Sequence, residues 1–216
     1  MTPYLLKKHI TRRASFHKIT DECVPKELLT IKNEVPSLSD FPYPLPSAKS
    51  DYTAQAKGNG DIMWYAGKTG VTRYDPHGKS IEEKIMYFSA HRYLPHKAVD
   101  AILPDGTGLW AKCGKEVSHI EFMVLSSEQK AEILLKETNE FVMRRGMVSQ
   151  RHLREFRNYE SREDYASCDN DGLFTSGYAV AEMYRYATLK RELGANHERT
   201  LDARKNATKA CEACLL

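Results

Sequence analysis

Two tryptophan-containing segments of this chain form an internal repeat, and that repeat limits the folds open to it. Trp110 follows Trp64 by 46 residues, and the sequence has no other tryptophan. Four further pairs match at the same offset, one of turn glycines and three of apolar or aromatic positions: Gly60 with Gly106, Met63 with Leu109, Val71 with Val117, and Tyr74 with Ile120. A period of about 40 to 50 residues, with a glycine turn before a tryptophan strand, is typical of propeller blades, which are small antiparallel sheets.

The residues around the first tryptophan favour β-strands. Segments 62–66, 71–74 and 85–88 are rich in β-branched and aromatic residues and are bounded by Gly, Asp or Pro, so we predict a strand in each. Residues 35–47, in contrast, contain four prolines. Because proline fixes φ and removes a backbone donor, we predict a linker there and the start of a domain near Asp51.

Segments 64–76 and 99–110 resemble the propeller repeats of two-component regulator sensors. The resemblance rests on the run Asp105-Gly106-Thr107-Gly108-Leu109-Trp110 in one segment and on a strand ending in Tyr74-Asp75-Pro76 in the other. It covers residues 55–122 and implies blade-like sheets, but it implies no particular activity. The second repeat departs from the first at two positions, with Lys112 in place of Ala66 and Glu116 in place of Gly70.

Beyond Phe122, apolar residues recur with helical spacing. Ser126 and Gln129 form a capping-box pattern, so we predict a helix that starts there and ends near Gly146. Two further stripes predict two more helices, one with Leu173, Gly177, Val180, Tyr184 and Ala187, and one from His197 onward with Ala203, Ala207, Ala210, Cys211 and Cys214. Long helices joined by an Asp-rich loop resemble the helical hairpins of α/α-toroid proteins, a group that includes many carbohydrate-active enzymes.

The loop 167–175 is the first candidate for a functional site. It places Asp169, Asn170 and Asp171 just before a predicted helix, where the helix dipole and free N–H groups keep carboxylates ionised. In the α/α-toroid enzymes that this layout resembles, acidic loops supply the general acid and base that cleave glycosidic bonds. Asp169 and Asp171 are therefore the candidate catalytic pair, and Asn170 is a candidate ligand-binding residue. The alternative is that Asp171 caps the helix and its neighbours shape the turn.

Residues 89–96 form the second candidate, a ligand-binding loop. His91, Arg92, Tyr93 and His96 precede the predicted strand at Val99, where a propeller carries a loop on its ligand-binding face. The two histidines lack the i, i+4 spacing of a helical zinc pair, so we predict no metal. The sequence contains no Gly-rich phosphate loop, and we predict no cofactor.

Charge and cysteine content restrict the expected partners and compartment. The chain has 32 Lys and Arg against 29 Asp and Glu, a net charge of +3, so we expect neither nucleic acid nor an anionic membrane as a partner. Five cysteines are too few for a disulfide scaffold and odd in number, which favours the cytoplasm. The basic residues among the first twenty make mitochondrial import the alternative.

These observations predict an α+β protein with two propeller-like antiparallel β units followed by a helical segment. The expected divisions are a basic N-terminal segment with a Pro-rich linker (1–50), the β repeats (51–122) and a helical domain (123–216). Two blades cannot close a ring and three helices cannot close a toroid. We therefore expect a protein partner or self-association to cover an open sheet edge, with a glycan as a further ligand class.

The predicted function is that of a non-catalytic binding or interaction protein, a shortened relative of a larger propeller-plus-toroid protein. The alternative is a carbohydrate-active hydrolase that uses the Asp169 and Asp171 pair. Glycoside hydrolysis needs two carboxyl groups about 5 to 9.5 Å apart, and two aspartates in one loop are candidates for that arrangement.

Overall fold

The computed structural model describes residues 8–155, 158–166 and 168–215. The chain forms two compact units, one spanning Ile10–Val124 and the other built on Leu125–Leu216. The first unit contains two four-stranded sheets and the second contains the long helices. The α+β class expected from the sequence is confirmed.

The sheet unit contains eight strands and two short helices among the described residues. In chain order its elements are β1 (Lys8–Lys18), α1 (Lys26–Thr30), β2 (Tyr52–Lys57), β3 (Met63–Gly67), β4 (Gly70–Tyr74), α2 (Ile81–Lys84), β5 (Ile85–Phe88), β6 (Ala101–Asp105), β7 (Gly108–Cys113) and β8 (Glu116–Ser126). One sheet has the order β2-β3-β4-β5 and the other the order β1-β8-β7-β6. The strands predicted at 62–66, 71–74 and 85–88 coincide with β3, β4 and β5 to within a residue.

The two tryptophan repeats form hairpins with the same register. Strand β3 pairs antiparallel with β4, and β7 pairs in the same way with β8. The pairs that close these hairpins occupy equivalent repeat positions, Gly67 with Gly70 and Cys113 with Glu116. Gly60 and Gly106, which precede the tryptophan strands, have φ of 63° and 54°, a left-handed conformation that glycine adopts without steric cost. The sequence repeat is therefore also a repeat of backbone structure.

The two sheets share one core but contribute opposite faces to it. The first sheet contributes Trp64 and Phe88, and the second contributes Leu109 and Ile120. Trp110, the repeat equivalent of Trp64, instead packs on the outer side of its sheet. The tryptophan-bearing faces of the two sheets thus point in the same direction. The tryptophan face of the first sheet packs on the opposite face of the second sheet, an arrangement that we call head-to-tail stacking. Among the described residues the two sheets do not close into a ring or barrel.

Residues 10–50 belong to this unit; residues 1–7 of the N-terminal segment expected for residues 1–50 lie outside the described residues. Strand β1 is the fourth strand of the second sheet. Val24 and Leu28 pack on the outer face of that sheet beside Trp110. Leu38 and Phe41, from the proline-rich run, pack on the outer face of the first sheet. That run forms no long strand or helix. Its apolar side chains nevertheless pack against Tyr52, Tyr65 and Tyr74 on the outer face of the sheet.

The chain itself covers part of the sheet edges that were expected to need a partner. The Asn33 amide donates to the Ile102 carbonyl and accepts from the Ile102 N–H of β6, both at 2.9 Å. The Gln55 N–H of β2 donates to the Glu34 carbonyl at 2.8 Å. The Asn33 side chain therefore takes the place of a neighbouring strand at one position on the edge strand β6, and the backbone of Glu34 does so at one position on the edge strand β2.

The second unit consists mainly of helices. Its elements are α3 (Ser127–Glu137), β9 (Met143–Arg144), β10 (Met147–Val148), α4 (Asp171–Leu193) and α5 (Glu198–Leu215). The capping box of Ser126 and Gln129 is confirmed. The helix predicted to reach Gly146 ends earlier, at Glu137, and a π-helical turn at Thr138–Val142 follows it. Arg145 and Gly146 have φ of 51° and 95°, and these values form a tight turn that a right-handed helix excludes.

Helix α5 packs on α4 through its small residues. Ala203, Ala207 and Ala210 are buried, as their spacing predicted. The two cysteines assigned to the same packed stripe lie at its margin, because Cys211 is half-buried and Cys214 is exposed. No helix in the described ranges has the length and apolar character needed to cross a membrane.

Candidate functional site

The loop expected to carry the catalytic pair leads directly into α4. Asn170 occupies the N-cap position without a capping hydrogen bond from its side chain, and Asp171 is the first helical residue. The alternative in which Asp171 itself caps the helix is therefore wrong. Asp169 is exposed, whereas Asp171 is half-buried, and its Oδ1 atom is buried without a hydrogen-bond partner among the described residues.

The backbone of this loop is fixed by a buried threonine. The Thr175 hydroxyl donates to the Asp171 carbonyl at 2.6 Å and accepts from the Val148 N–H at 3.0 Å. These bonds tie the first turn of α4 to β10. The arrangement presents one oriented carboxylate, and in the described ranges no hydrogen bond or ion pair connects it with Asp169.

The residues of the predicted ligand-binding loop lie in the sheet unit, directly after β5, and they differ in exposure. The Tyr93 ring is half-buried and packs edge-on against Phe88 with ring centroids 5.1 Å apart. His91 and Arg92 are exposed, and the Arg92 guanidinium lies 5.2 Å from the Tyr93 ring centroid. His96 Nε2 lies 2.8 Å from a carboxylate oxygen of Glu116 on β8. Tyr93 thus anchors the loop, while the other three residues face solvent.

The side of α4 that faces solvent is apolar. All ten exposed residues between Gly172 and Ala187 are uncharged: Gly172, Leu173, Phe174, Ser176, Gly177, Val180, Ala181, Met183, Tyr184 and Ala187. We call these ten residues the outer face of α4. Leu173 is 68% exposed and Tyr184 is 73% exposed. The apolar stripe found by spacing therefore lies on the outer face, although an apolar helix stripe ordinarily faces a core.

Two charged residues in the middle of α4, Glu182 and Arg185, lie on its inner side. Glu182 is buried, and Arg185 contacts it at 3.1 Å and Asp202 of α5 at 2.9 Å. Arg199 of α5 lies 2.8 Å from carboxylate oxygens of both Glu128 and Glu132 on α3. Burial raises the pKa of Glu182, and the adjacent Arg185 offsets part of that rise. These ion pairs lie between the helices beside the buried Ala179 and Leu189, and the other apolar residues of α4 face solvent.

A cavity of about 520 Å³ lies between α3 and α4. Leu134 and Leu135 of α3 line it together with Ala181 and Tyr184 of α4. Ala181 and Tyr184 also belong to the outer face, so the cavity adjoins that face, and the charged Glu132, Glu182 and Arg185 line it as well.

The sequence interpretation missed a second, larger cavity of about 850 Å³ in the same unit. Its basic lining residues are Arg145, Lys205 and Lys209. A partial signal was present, because Lys205 and Lys209 are four residues apart and share one face of a helix. The contribution of Arg145 depends on a turn after α3 that helical spacing does not reveal.

Comparisons of the chain with protein-family models, with curated proteins and with solved structures found no match. In the part of the chain that the structure describes, no group of three or more His, Cys, Asp or Glu side chains is arranged to hold a metal ion.

Proposed function

We propose that this chain is a non-catalytic interaction protein that associates through the outer face of α4, and that its partner is a second copy of the chain. The observation that carries the proposal is the uncharged outer face of α4. Its ten residues face solvent, whereas Glu182 is buried and Arg185 pairs with Glu132 and Asp202 between the helices. Removing such a face from water is favourable at about 25 cal/mol per Å² of apolar surface.

Charge complementarity favours a second copy in an antiparallel, two-fold arrangement. If two α4 helices cross at Val180, Asp169 of one copy is level with Arg191 of the other. Asp169 and Arg191 are both exposed, and Arg191 otherwise makes an ion pair with Glu192 at 3.9 Å. Opposite charges thus meet at both ends of the contact, and no like charges meet along its uncharged middle.

Side-chain size is complementary in the same arrangement. Large residues of one copy are level with small residues of the other in three pairs: Leu173 with Ala187, Tyr184 with Ser176, and Met183 with Gly177. Small residues facing large ones allow two helices to interdigitate. A two-fold contact uses the same patch on both copies, and this patch matches itself.

Two features support kinship with a larger propeller-plus-toroid protein. The sheets stack head to tail with equivalent faces pointing the same way, which is how repeated units follow one another in a repeat architecture. Helices α4 and α5 pack together, and the outer face of α4 is exposed. In this proposal a second copy covers the face that further helices would cover in a longer relative.

Light scattering after size exclusion tests the proposal. Helix α4 has 23 residues and is about 35 Å long. One face of a single helix of this length buries less area than the roughly 800 Å² per partner of a stable interface. We expect a dimer with a dissociation constant in the micromolar range. Val180→Arg places two like charges opposite each other on the two-fold axis and should give a monomer. Thr208→Arg, an exposed site on α5, is the matched control and should leave the dimer intact.

A charge exchange tests the antiparallel geometry separately. Asp169→Arg should weaken the dimer, and the added change Arg191→Asp should restore it. A wild-type chain that stays monomeric at high micromolar concentration contradicts the proposal. A dimer that Val180→Arg leaves intact does so too, and failure of the charge exchange contradicts the two-fold arrangement.

A second candidate function, glycoside hydrolysis by Asp169 and Asp171, has one observation in its favour. Asp169 and Asp171 stand two residues apart where the loop enters α4, and glycoside hydrolysis uses two carboxyl groups that flank the scissile bond. Release of reducing sugar from a panel of polysaccharides tests it. Hydrolysis that Asp171→Asn abolishes without unfolding the protein, and that Asp164→Asn preserves, would establish this second function.

A further inference from the structure

The 850 Å³ cavity of the helical unit has a basic wall without matching acids. Arg145, Lys205 and Lys209 line it, and all three side chains are exposed. Within the described ranges none of the three has an ion-pair or hydrogen-bond partner for its side chain. Of the two acids in the lining, Asp202 is already paired with Arg185 at 2.9 Å, which leaves Glu212. The unpaired groups therefore have a net positive charge of about two.

The fold brings these cations together. Lys205 and Lys209 are one helical turn apart on α5, where like charges repel in the absence of a counter-ion. Arg145 joins them because Gly146, the next residue, lies directly against α5. A Cβ atom placed on Gly146 would be 2.7 Å from the Lys209 carbonyl oxygen. A glycine at this contact, with φ of 95°, lets the β9–β10 turn approach the wall that holds both lysines.

The rest of the cavity offers hydrogen-bonding and apolar groups. Asn139 and Asn206 contribute amides, and the half-buried Tyr178 contributes a ring whose hydroxyl donates to Asn139 at 2.7 Å. Burial raises the pKa of Tyr178 to about 12, so the phenol remains neutral and keeps its hydrogen bond to Asn139. Amides bind hydroxyl groups, and an aromatic face packs against the apolar side of a sugar ring. Pockets that bind small molecules combine such surfaces with a few convergent polar groups.

We propose that this cavity binds a sugar phosphate. A phosphate monoester has a charge of about −1.5 to −2 at pH 7 and three acceptor oxygens, which match the three unpaired cations in number and in net charge. Arg145 supplies a planar, bidentate donor, and the two lysines supply point charges. The sugar lies toward Asn139, Asn206 and Tyr178. This site is separate from the outer face of α4 and does not depend on dimer formation.

Isothermal titration calorimetry with glucose 6-phosphate as the probe tests this assignment. We expect saturable binding of glucose 6-phosphate, no heat with glucose, and at least tenfold weaker binding of inorganic phosphate. Binding should weaken with added salt, because exposed charges are screened. Glucuronate provides the carboxylate arm of the test and should also bind at least tenfold more weakly, since it has a single negative charge.

Paired lysine variants locate the site. Lys205→Ala with Lys209→Ala should weaken binding of glucose 6-phosphate at least tenfold. Lys130→Ala with Lys136→Ala removes the same charge from α3, outside the cavity, and should leave binding unchanged; circular dichroism confirms that both variants fold. No binding of glucose 6-phosphate at millimolar concentration, or equal loss in both double variants, overturns the proposal. Inorganic phosphate or glucuronate binding as tightly as glucose 6-phosphate overturns the sugar phosphate assignment.

Discussion

At the scale of single residues, burial divides the five thiols into different chemical classes. Cys113 lies in the core between the two sheets and is fully buried, whereas Cys23 and Cys214 are exposed. Burial raises the pKa of Cys113 to about 12, and the thiolate is the nucleophilic form of cysteine. Its reactivity is therefore suppressed both by lack of access and by lack of ionisation.

We expect iodoacetamide at neutral pH to label Cys23 and Cys214 in the native protein and to leave Cys113 unmodified. In urea all three should be labelled at similar rates, because unfolding removes the burial that raises the pKa of Cys113. Peptide mass spectrometry after a timed reaction measures each site. Native labelling of Cys113 at the rate of Cys214 would contradict its place in the core.

Asn33 is a single residue that replaces part of a strand. Its amide makes two hydrogen bonds to the backbone of Ile102, and Ile102 is fully buried. Asn33→Ala leaves a buried donor and acceptor unpaired, which costs about 1 to 3 kcal/mol. Urea unfolding should show this loss, and Asn59→Ala, in an exposed turn, should change stability by less than about 0.5 kcal/mol. A loss for Asn33→Ala as small as that of the control would contradict its bridging role.

At the scale of elements, the inner side of α4 gives the helical unit a pH dependence. Burial raises the pKa of Glu182. An acid with a higher pKa in the folded than in the unfolded protein binds its proton more tightly when folded. Its contribution therefore favours folding as the pH falls through the folded pKa, and it is lost as the pH rises above that value.

We expect the stability difference between wild type and Glu182→Gln to shift in favour of wild type when the pH falls from about 7 to about 5. The measurement is the free energy of unfolding in urea at the two pH values. Glu140→Gln, at an exposed site, is the control and should show a smaller shift. A difference that moves in favour of Glu182→Gln on acidification would show that the carboxyl group is not destabilised by burial.

Strand and helix positions could be predicted because their signals are local. Aromatic and β-branched runs located β3, β4 and β5, and the Ser126 capping pattern located the start of α3. Strand β1 was missed because the sequence KHITRRASFHK is rich in charge and lacks a clean alternation of apolar residues. Its place in the sheet depends on pairing with β8, which is distant in sequence.

The candidate site could be predicted only in part, for a similar reason. The spacing of Leu173, Val180 and Tyr184 showed that one face of α4 is apolar. It could not show that this face is exposed, because that depends on the pairing of Arg185 with Glu132 on α3 and Asp202 on α5. The cavity cations were missed because Arg145 reaches α5 through a turn that spacing does not encode.

At the scale of the whole molecule, the dimer that we propose would couple stability to protein concentration. A ligand or partner that binds the folded state alone raises its stability by mass action. We expect the melting temperature of the wild-type chain to rise with protein concentration across the micromolar range. For Val180→Arg it should stay constant, while Thr208→Arg should behave as wild type. Differential scanning calorimetry at several concentrations measures this, and a wild-type melting temperature independent of concentration would contradict association through this face.

The head-to-tail stacking of the two sheets has a consequence for growth of the assembly. A contact between unlike faces can be repeated without limit, and such contacts produce fibres when nothing stops them. Here Val24 and Leu28 cover the outer face of the second sheet and so block one end of the stack. Leu38 and Phe41 cover the outer face of the first sheet and block the other end. Both blocks belong to one stretch of chain, so its length determines how many sheets can be enclosed. Insertion of a third sheet without a longer stretch would release one block and open the protein to polymerisation.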